Sequence, residues 1–278
     1  MGTSLYEDDD VDQELVNWGP PRQKWRNGHA VYRDPALEQS ALLYRYVSAR
    51  NAFSALESRT LWFSSVYQWD DPHEKWWCDL LFRPDSHLTG ASPYGSCWTR
   101  RYRDEPFWRM YGCECKEDDD GAPKARTPVR ILPAVRFRTN AGNLFSWLTD
   151  SIGRQPYPCK GYIGSVRYCP VKQMTSQAHE FRTRAANTSL AAARGLLMKR
   201  RAFMFEHEVR MLWIDRQTPR LPGRAIPFEP HDLLEQVMIG PTTSDKNDRY
   251  DEVFDTLVSL GVKASMIYRS SAYTPPTL

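Results

Sequence analysis

The sequence predicts an α+β fold, a single domain built on a mixed sheet with flanking helices. Three observations carry this. Residues Ala41 to Ser65 read as a strand, a short helix and a second strand in immediate succession. The stretch FMFEHEVRMLW, Phe203 to Trp213, reads as a buried strand rich in aromatic and branched residues. No internal repeat or low-complexity linker divides the 278 residues, and 41% hydrophobic residues with 10 Trp supply a sizeable core. One domain is therefore expected over residues 35–270, with an irregular N-terminal arm (1–34) and a loose tail (271–278).

In chain order, the arm is polar and proline-containing, with Trp18, Trp25 and Tyr32 interspersed. Ala41 to Val47 is the first strand; Ser48 is placed to cap a helix over Ala49 to Ser58, and Thr60 to Ser65 is the second strand. Pro72, within Asp70 to Glu74, is expected to break the chain direction. Ser96 to Thr99 suits a short strand, and Pro106 to Tyr111 an aromatic helical turn. The acidic run in Lys116 to Lys124 reads as an exposed loop. Val129 to Phe137 and Tyr162 to Tyr168 are strand candidates, and the Ala-rich His179 to Lys199 reads as a helix. Gln217 to Pro230 is proline-rich and extended. Glu235 to Ile239 is a strand, Ser244 opens a helix to about Leu260 that ends at Gly261, and Lys263 to Tyr268 is the last strand.

Composition narrows the function classes. The net charge of +3 with 26% charged residues is far from that of a dedicated nucleic-acid binder. No apolar run approaches the roughly 20 residues of a membrane span, so no membrane association is expected. The acidic start MGTSLYEDDD has no basic and apolar regions of a signal peptide, and a cytoplasmic location follows as an expectation. The six cysteines (Cys78, Cys97, Cys113, Cys115, Cys159, Cys169) contain no C-x-x-C pair, so reduced cysteines and no metal site are expected.

Chemistry is suggested by polar residues inside apolar strands. In FMFEHEVRMLW, Glu206, Glu208 and Arg210 alternate, so as a strand they share one face, with His207, Val209, Met211 and Trp213 on the other. Paired carboxylates repel each other unless a cation or substrate sits opposite. Arg45 lies within LLYRYV, and Ser64 and Ser65 end LWFSS. An arginine grips a phosphate bidentately, and a carboxylate stabilises the positive sugar carbon formed as a glycosidic bond breaks. The plainer reading is that Arg45, Arg210 and the cluster Lys199-Arg200-Arg201 simply pair with the two glutamates. Arg100, Arg101 and Arg103, with Trp98 and Tyr102 available for stacking, suit either a solvated basic face or nucleic-acid phosphates.

The string LLYRY…LWFSSVYQWDDPHE…SCWT…FWRMYG…FMFEHEVRMLW…VMIGP resembles a widespread bacterial family of unknown function, over about Ala41 to Tyr268. Its most specific parts are LWFSS…DP and E-x-E-x-R. The sequence departs from the pattern at Asp70, where Asn is common, and in a shortened segment at Tyr111-Gly112. The family's layout in turn looks like the ADP-ribosyltransferase fold, which implies a split sheet with flanking helices and NAD as the cofactor. The resemblance implies that Arg45 contacts an NAD phosphate or ribose, with Tyr44, Tyr46 and Trp62 in the same cofactor-binding region. It implies that Ser64 or Ser65 braces the nicotinamide pocket, that Glu208 stabilises the oxocarbenium-like transition state, and that Glu206 orients the acceptor. The partners implied are a macromolecular acceptor, protein or nucleic acid, and a partner protein of a toxin or phage-defence system. Two alternatives stand beside this reading: a non-catalytic binding module of such a system, and a nuclease holding magnesium with Asp70, Asp71, Glu74 and the two glutamates.

Overall fold

The computed structural model describes residues 22–24, 28–82, 88, 90–102, 105–112, 132–183, 189–216, 220–241 and 248–272. The strand–helix–strand unit forms as its sequence dictates. Strand β3 is Leu42–Val47, helix α1 is Ala49–Glu57 and strand β4 is Thr60–Ser65. Ser48 caps α1, its side chain accepting from the Asn51 N–H. Arg59 follows the helix in the left-handed region at φ 51°, which turns the chain into β4.

The fold is α+β, with one large mixed sheet of 11 strands among the described residues, flanked by helices. The remaining strands of this sheet are β1 (Gln23–Lys24), β2 (Ala30–Arg33), β5 (Ser92–Thr99), β6 (Val135–Asn140), β7 (Cys159–Ser165), β10 (Glu208–Asp215), β11 (Gly223–Pro227), β12 (Gln236–Ile239) and β13 (Ile267–Arg269). Their order is β1-β2-β7-β10-β5-β3-β6-β12-β13, with β4 joined to β5 and β11 to β4. Strand β5 thus has three partners and the sheet forks there: Tyr94 and Gly95 pair with β4, and Thr99 pairs with β3. A separate pair joins β8 (Arg167–Cys169) to β9 (Met198–Arg200) in parallel.

The chain divides into two compact units, each assembled from three segments. The first holds the described parts of residues 1–41, with Phe63–Cys97 and Phe145–Arg224. Its core packs Trp77, Phe82, Tyr162, Met174, Leu196 and Leu212 together. Helices α2 (Pro72–Leu81), α4 (Ala141–Gly153, from Phe145 onward), α5 (Val171–Thr183) and α6 (Ser189–Leu196) belong to it. The second holds Leu42–Trp62, the described parts of Trp98–Leu144, and those of Ala225–Leu278. Its core joins Tyr44, Tyr46, Phe107, Trp108 and Ala134, and it carries α1, α3 (Glu105–Gly112), α7 (Pro230–Leu233) and α8 (Asp248–Ser259).

Several expectations are corrected. Residues 23–24 and 30–33 of the arm are strands, and β2 pairs in parallel with β7. Pro72 does not break the chain but opens α2: Asp71 accepts from the His73 N–H as N-cap, and proline suits the first helical turn, where no N–H is needed. The strand expected over Val129 to Phe137 begins at Val135, and residues 129–131 lie outside the described ones. Helix α4 was not anticipated. Tyr162 to Tyr168 is divided between β7 and β8. Of the helix expected over His179 to Lys199, residues 179–183 belong to α5 and 189–196 to α6, residues 184–188 lie outside the described ones, and Met198–Arg200 is instead the short strand β9. The extended stretch before Pro230 contains β11, and the last strand is only Ile267–Arg269, preceded by a 3-10 turn. The proposed cap Ser244, the acidic loop at 116–124 and the tail 273–278 lie outside the described residues. Among the described residues no helix is long and apolar enough to cross a membrane.

Candidate functional site

The most informative strand is shorter than its sequence suggests. β10 begins at Glu208; Arg201–Glu206 is a 3-10 turn, and His207 between them is left-handed at φ 43°. Glu206 therefore does not stand on the strand beside Glu208, because the left-handed residue resets the direction of the chain. The alternation does hold from Glu208 onward. Arg210 and Leu212 follow Glu208 on one face, with Val209, Met211 and Trp213 on the other.

The two glutamates nevertheless reach one network, in the first unit. Arg210, 1% exposed, grips Glu208 bidentately, with Nε donating to Oε1 at 2.8 Å and Nη2 to Oε2 at 2.9 Å. Its Nη2 also donates to Glu74 Oε1 and its Nη1 to the Leu196 carbonyl at 2.6 Å. Lys199 Nζ donates to Glu206 Oε2 at 2.7 Å and to Glu208 Oε2 at 3.3 Å, with Glu74 Oε1 at 3.9 Å. The Cys97 thiol completes the set with a hydrogen bond to Glu208. Four donors thus meet the roughly four lone-pair sites of one carboxylate.

Burial would raise the Glu208 pKa, but the charge and hydrogen bonds of Arg210, with Lys199 and Cys97, hold it at about 2 against an ordinary 4.5. Glu206 goes the other way: burial pushes it up, and Lys199 offsets only part of that. Burial first, then Glu208, keeps the Cys97 thiol well above its ordinary range, hence protonated and a donor. The residue Cys97 as a whole is nonetheless exposed, while its thiol is buried against Glu208. Glu74, Glu206 and Glu208 thus gather around Lys199 and Arg210.

Ser64 enters through Trp69. The Trp69 Nε1 donates to Ser64 Oγ at 2.9 Å, and the Arg210 guanidinium lies 4.4 Å from the Trp69 ring centre. Beside this, Asp71 pairs with Arg200 at 3.1 Å, and Lys199 and Arg200 both lie over the Phe203 ring. Ser65 is buried, and its N–H donates to the Pro222 carbonyl.

The remaining predicted residues belong to the second unit. Arg45, half-buried, donates from Nη2 to the Trp62 carbonyl at 3.4 Å, and the Trp62 side chain is exposed. Tyr44 and Tyr46 flank Arg45 on the strand and therefore face the opposite side of the sheet. Strand alternation thus sets Arg45 apart from the two tyrosines. The magnesium reading fares poorly for a chemical reason: Asp71, Glu74, Glu206 and Glu208 each already face an Arg or Lys. Among the described residues no group of His, Cys, Asp or Glu is arranged to hold a metal ion.

Sequence reasoning named Glu74 only for the magnesium site and missed Cys97, whereas the plainer reading had already paired the two glutamates with Arg210 and the Lys199 cluster. Their signal lay in the quoted motifs, since DDPHE supplies Asp71 and Glu74 and SCWT supplies Cys97. In the comparisons with known proteins, the chain matches no protein family, no curated protein and no solved structure.

Proposed function

We propose that the protein is an ADP-ribosyltransferase-like enzyme that cleaves NAD and passes ADP-ribose to a macromolecular acceptor, acting in the cytoplasm as a toxin or phage-defence effector. The observation that carries this reading is the gathering of three carboxylates in one network, with Glu206 at its less buried end and Ser64 linked to it through Trp69, Arg210 and Glu208. Such a site favours a cation. The nicotinamide ring of NAD is cationic, and so is the ribosyl carbon as the glycosidic bond breaks. In that step the bonding pair leaves with neutral nicotinamide; the acceptor then bonds the ribosyl carbon and loses its proton. In this reading the roles of the two acids are exchanged. Glu208, with its acceptor sites filled, positions Lys199 and Arg210, and Glu206 stabilises the developing positive charge.

Nicotinamide release from NAD, followed by chromatography with the purified protein, tests this. Glu206→Gln keeps the shape and is expected to slow release by about a hundredfold. A folded Glu206→Gln variant that releases nicotinamide at the parent rate sinks the proposal. A second reading, a non-catalytic binding module of a toxin or defence system, is favoured by the saturation of Glu208 and the burial of Arg210. Calorimetric titration separates the two, since a module has no need to bind NAD.

A further inference from the structure

The second unit buries a cation of its own. Arg136, on β6, is 1% exposed, and its guanidinium lies 4.7 Å from the Tyr44 ring centre, 5.2 Å from Tyr102, 5.8 Å from Trp108 and 5.9 Å from Tyr46. Nη1 donates to the Tyr102 carbonyl and Nη2 to Gln236 Oε1 at 3.1 Å, while Nε is buried without a partner. Arg210 in the first unit is met by two carboxylates; among the described residues Arg136 is met by none. Aromatic faces and two carbonyl dipoles compensate a buried charge only in part.

Strand geometry places a second guanidinium beside it. Arg138 is two residues along β6 and shares the face of Arg136. Across the ladder Tyr46 stands opposite Arg136, and Tyr44 opposite Arg138. Arg138 is partly exposed and lies 3.5 Å from Glu235, its carboxylate neighbour. Among the described residues, two guanidiniums against one carboxylate leave one positive charge in excess. Next to them the Tyr102 ring is 45% exposed and leans on Tyr44 with centres 5.8 Å apart. The Tyr44 hydroxyl is raised above its ordinary pKa, by burial first, and so remains a donor.

A guanidinium that can take phosphate oxygens in a fork, over a second buried positive charge and beside an exposed ring, suits a phosphate that carries a flat base. We infer that this face binds a nucleotide: Arg138 takes the phosphate, Tyr102 stacks on the base, and Arg136 supplies positive potential from beneath. The Arg45 side of β3 takes no part. Binding here needs no NAD cleavage, so either proposal can fail while the other stands.

The test is calorimetric titration of the whole chain with ADP and, separately, with inorganic pyrophosphate at low salt. The parent protein is expected to bind both. Arg138→Gln, a partly exposed position whose loss leaves the Arg136 cage intact, is expected to weaken both by roughly tenfold or more. Tyr102→Ala, which keeps the carbonyl that Arg136 uses, is expected to weaken ADP and spare pyrophosphate. The inference is overturned if the folded parent binds neither at millimolar concentration, if Arg138→Gln binds both as the parent does, or if Tyr102→Ala leaves ADP unchanged.

Discussion

Around Arg210 the chain has taken three carboxylates and two cations almost wholly out of water, and the pairing is what makes that tolerable. Removing one partner is far worse than never having had the pair. Arg210→Met strands Glu208 and Glu74 together and is expected to destabilise the fold by about 3–5 kcal/mol in urea unfolding. A loss under ~1 kcal/mol, the range of an exposed pair, would show that the network is open to water. The cross-links of this network were only partly legible in the sequence. Glu208 and Arg210 are two residues apart and readable from strand alternation. Glu74 and Arg210 are 136 residues apart, and nothing in local periodicity announces their meeting.

Among the elements, local chemistry was readable wherever a side chain completes its own backbone. Ser48 caps α1 in this way, and the Asp71-Pro72 pair carries an equally local signal that a reading of proline as a breaker overlooked. Helix α4 also had its signal: Leu144, Leu148 and Ile152 recur at helical spacing and are fully buried, and the Asn140 side chain accepts from the Asn143 N–H. The forked strand β5 was half-legible, since its first four residues contain Pro93 and Gly95, which do not read as strand. Gly95 has a tertiary reason. A Cβ there would meet Trp69 Cζ2 at 2.5 Å and Cη2 at 3.0 Å. Gly95→Ala must therefore shift the indole that lies against Arg210 and donates to Ser64. A cost of about 1–3 kcal/mol in thermal or urea unfolding is expected; an unchanged midpoint would mean that Trp69 yields freely.

At the scale of the whole molecule, the buried acids set the acid limb of stability. Glu208 has a folded pKa of about 2, below its ordinary 4.5, and Asp71 is also lowered, its hydrogen bonds from His73 and Arg200 outweighing burial. Their stabilisation is complete above the unfolded values and is lost as pH falls from about 4.5 towards 2. Glu206, raised in the folded state, runs opposite: it favours the fold below its unfolded value and loses that contribution as pH rises through its folded one. The net expectation is a melting temperature that falls steeply below about pH 4. Glu208→Gln should flatten that limb, and a variant melting profile parallel to the parent's would remove Glu208 as its source. The α+β class followed from the sequence because strand and helix periodicities are local, whereas division into two units interleaved in sequence is a long-range property that no window of residues contains.

His207 separates two jobs that the sequence had written as one motif. Because the left-handed residue uncouples the turn Arg201–Glu206 from β10, the ladder register set by Val209 opposite Ser165 does not depend on the turn's length. The turn that carries Glu206 is thus held by Lys199 and Arg200 rather than by the strand ladder. An engineered change in its length is expected to retune what approaches the outer acid without slipping the strand that holds the inner one.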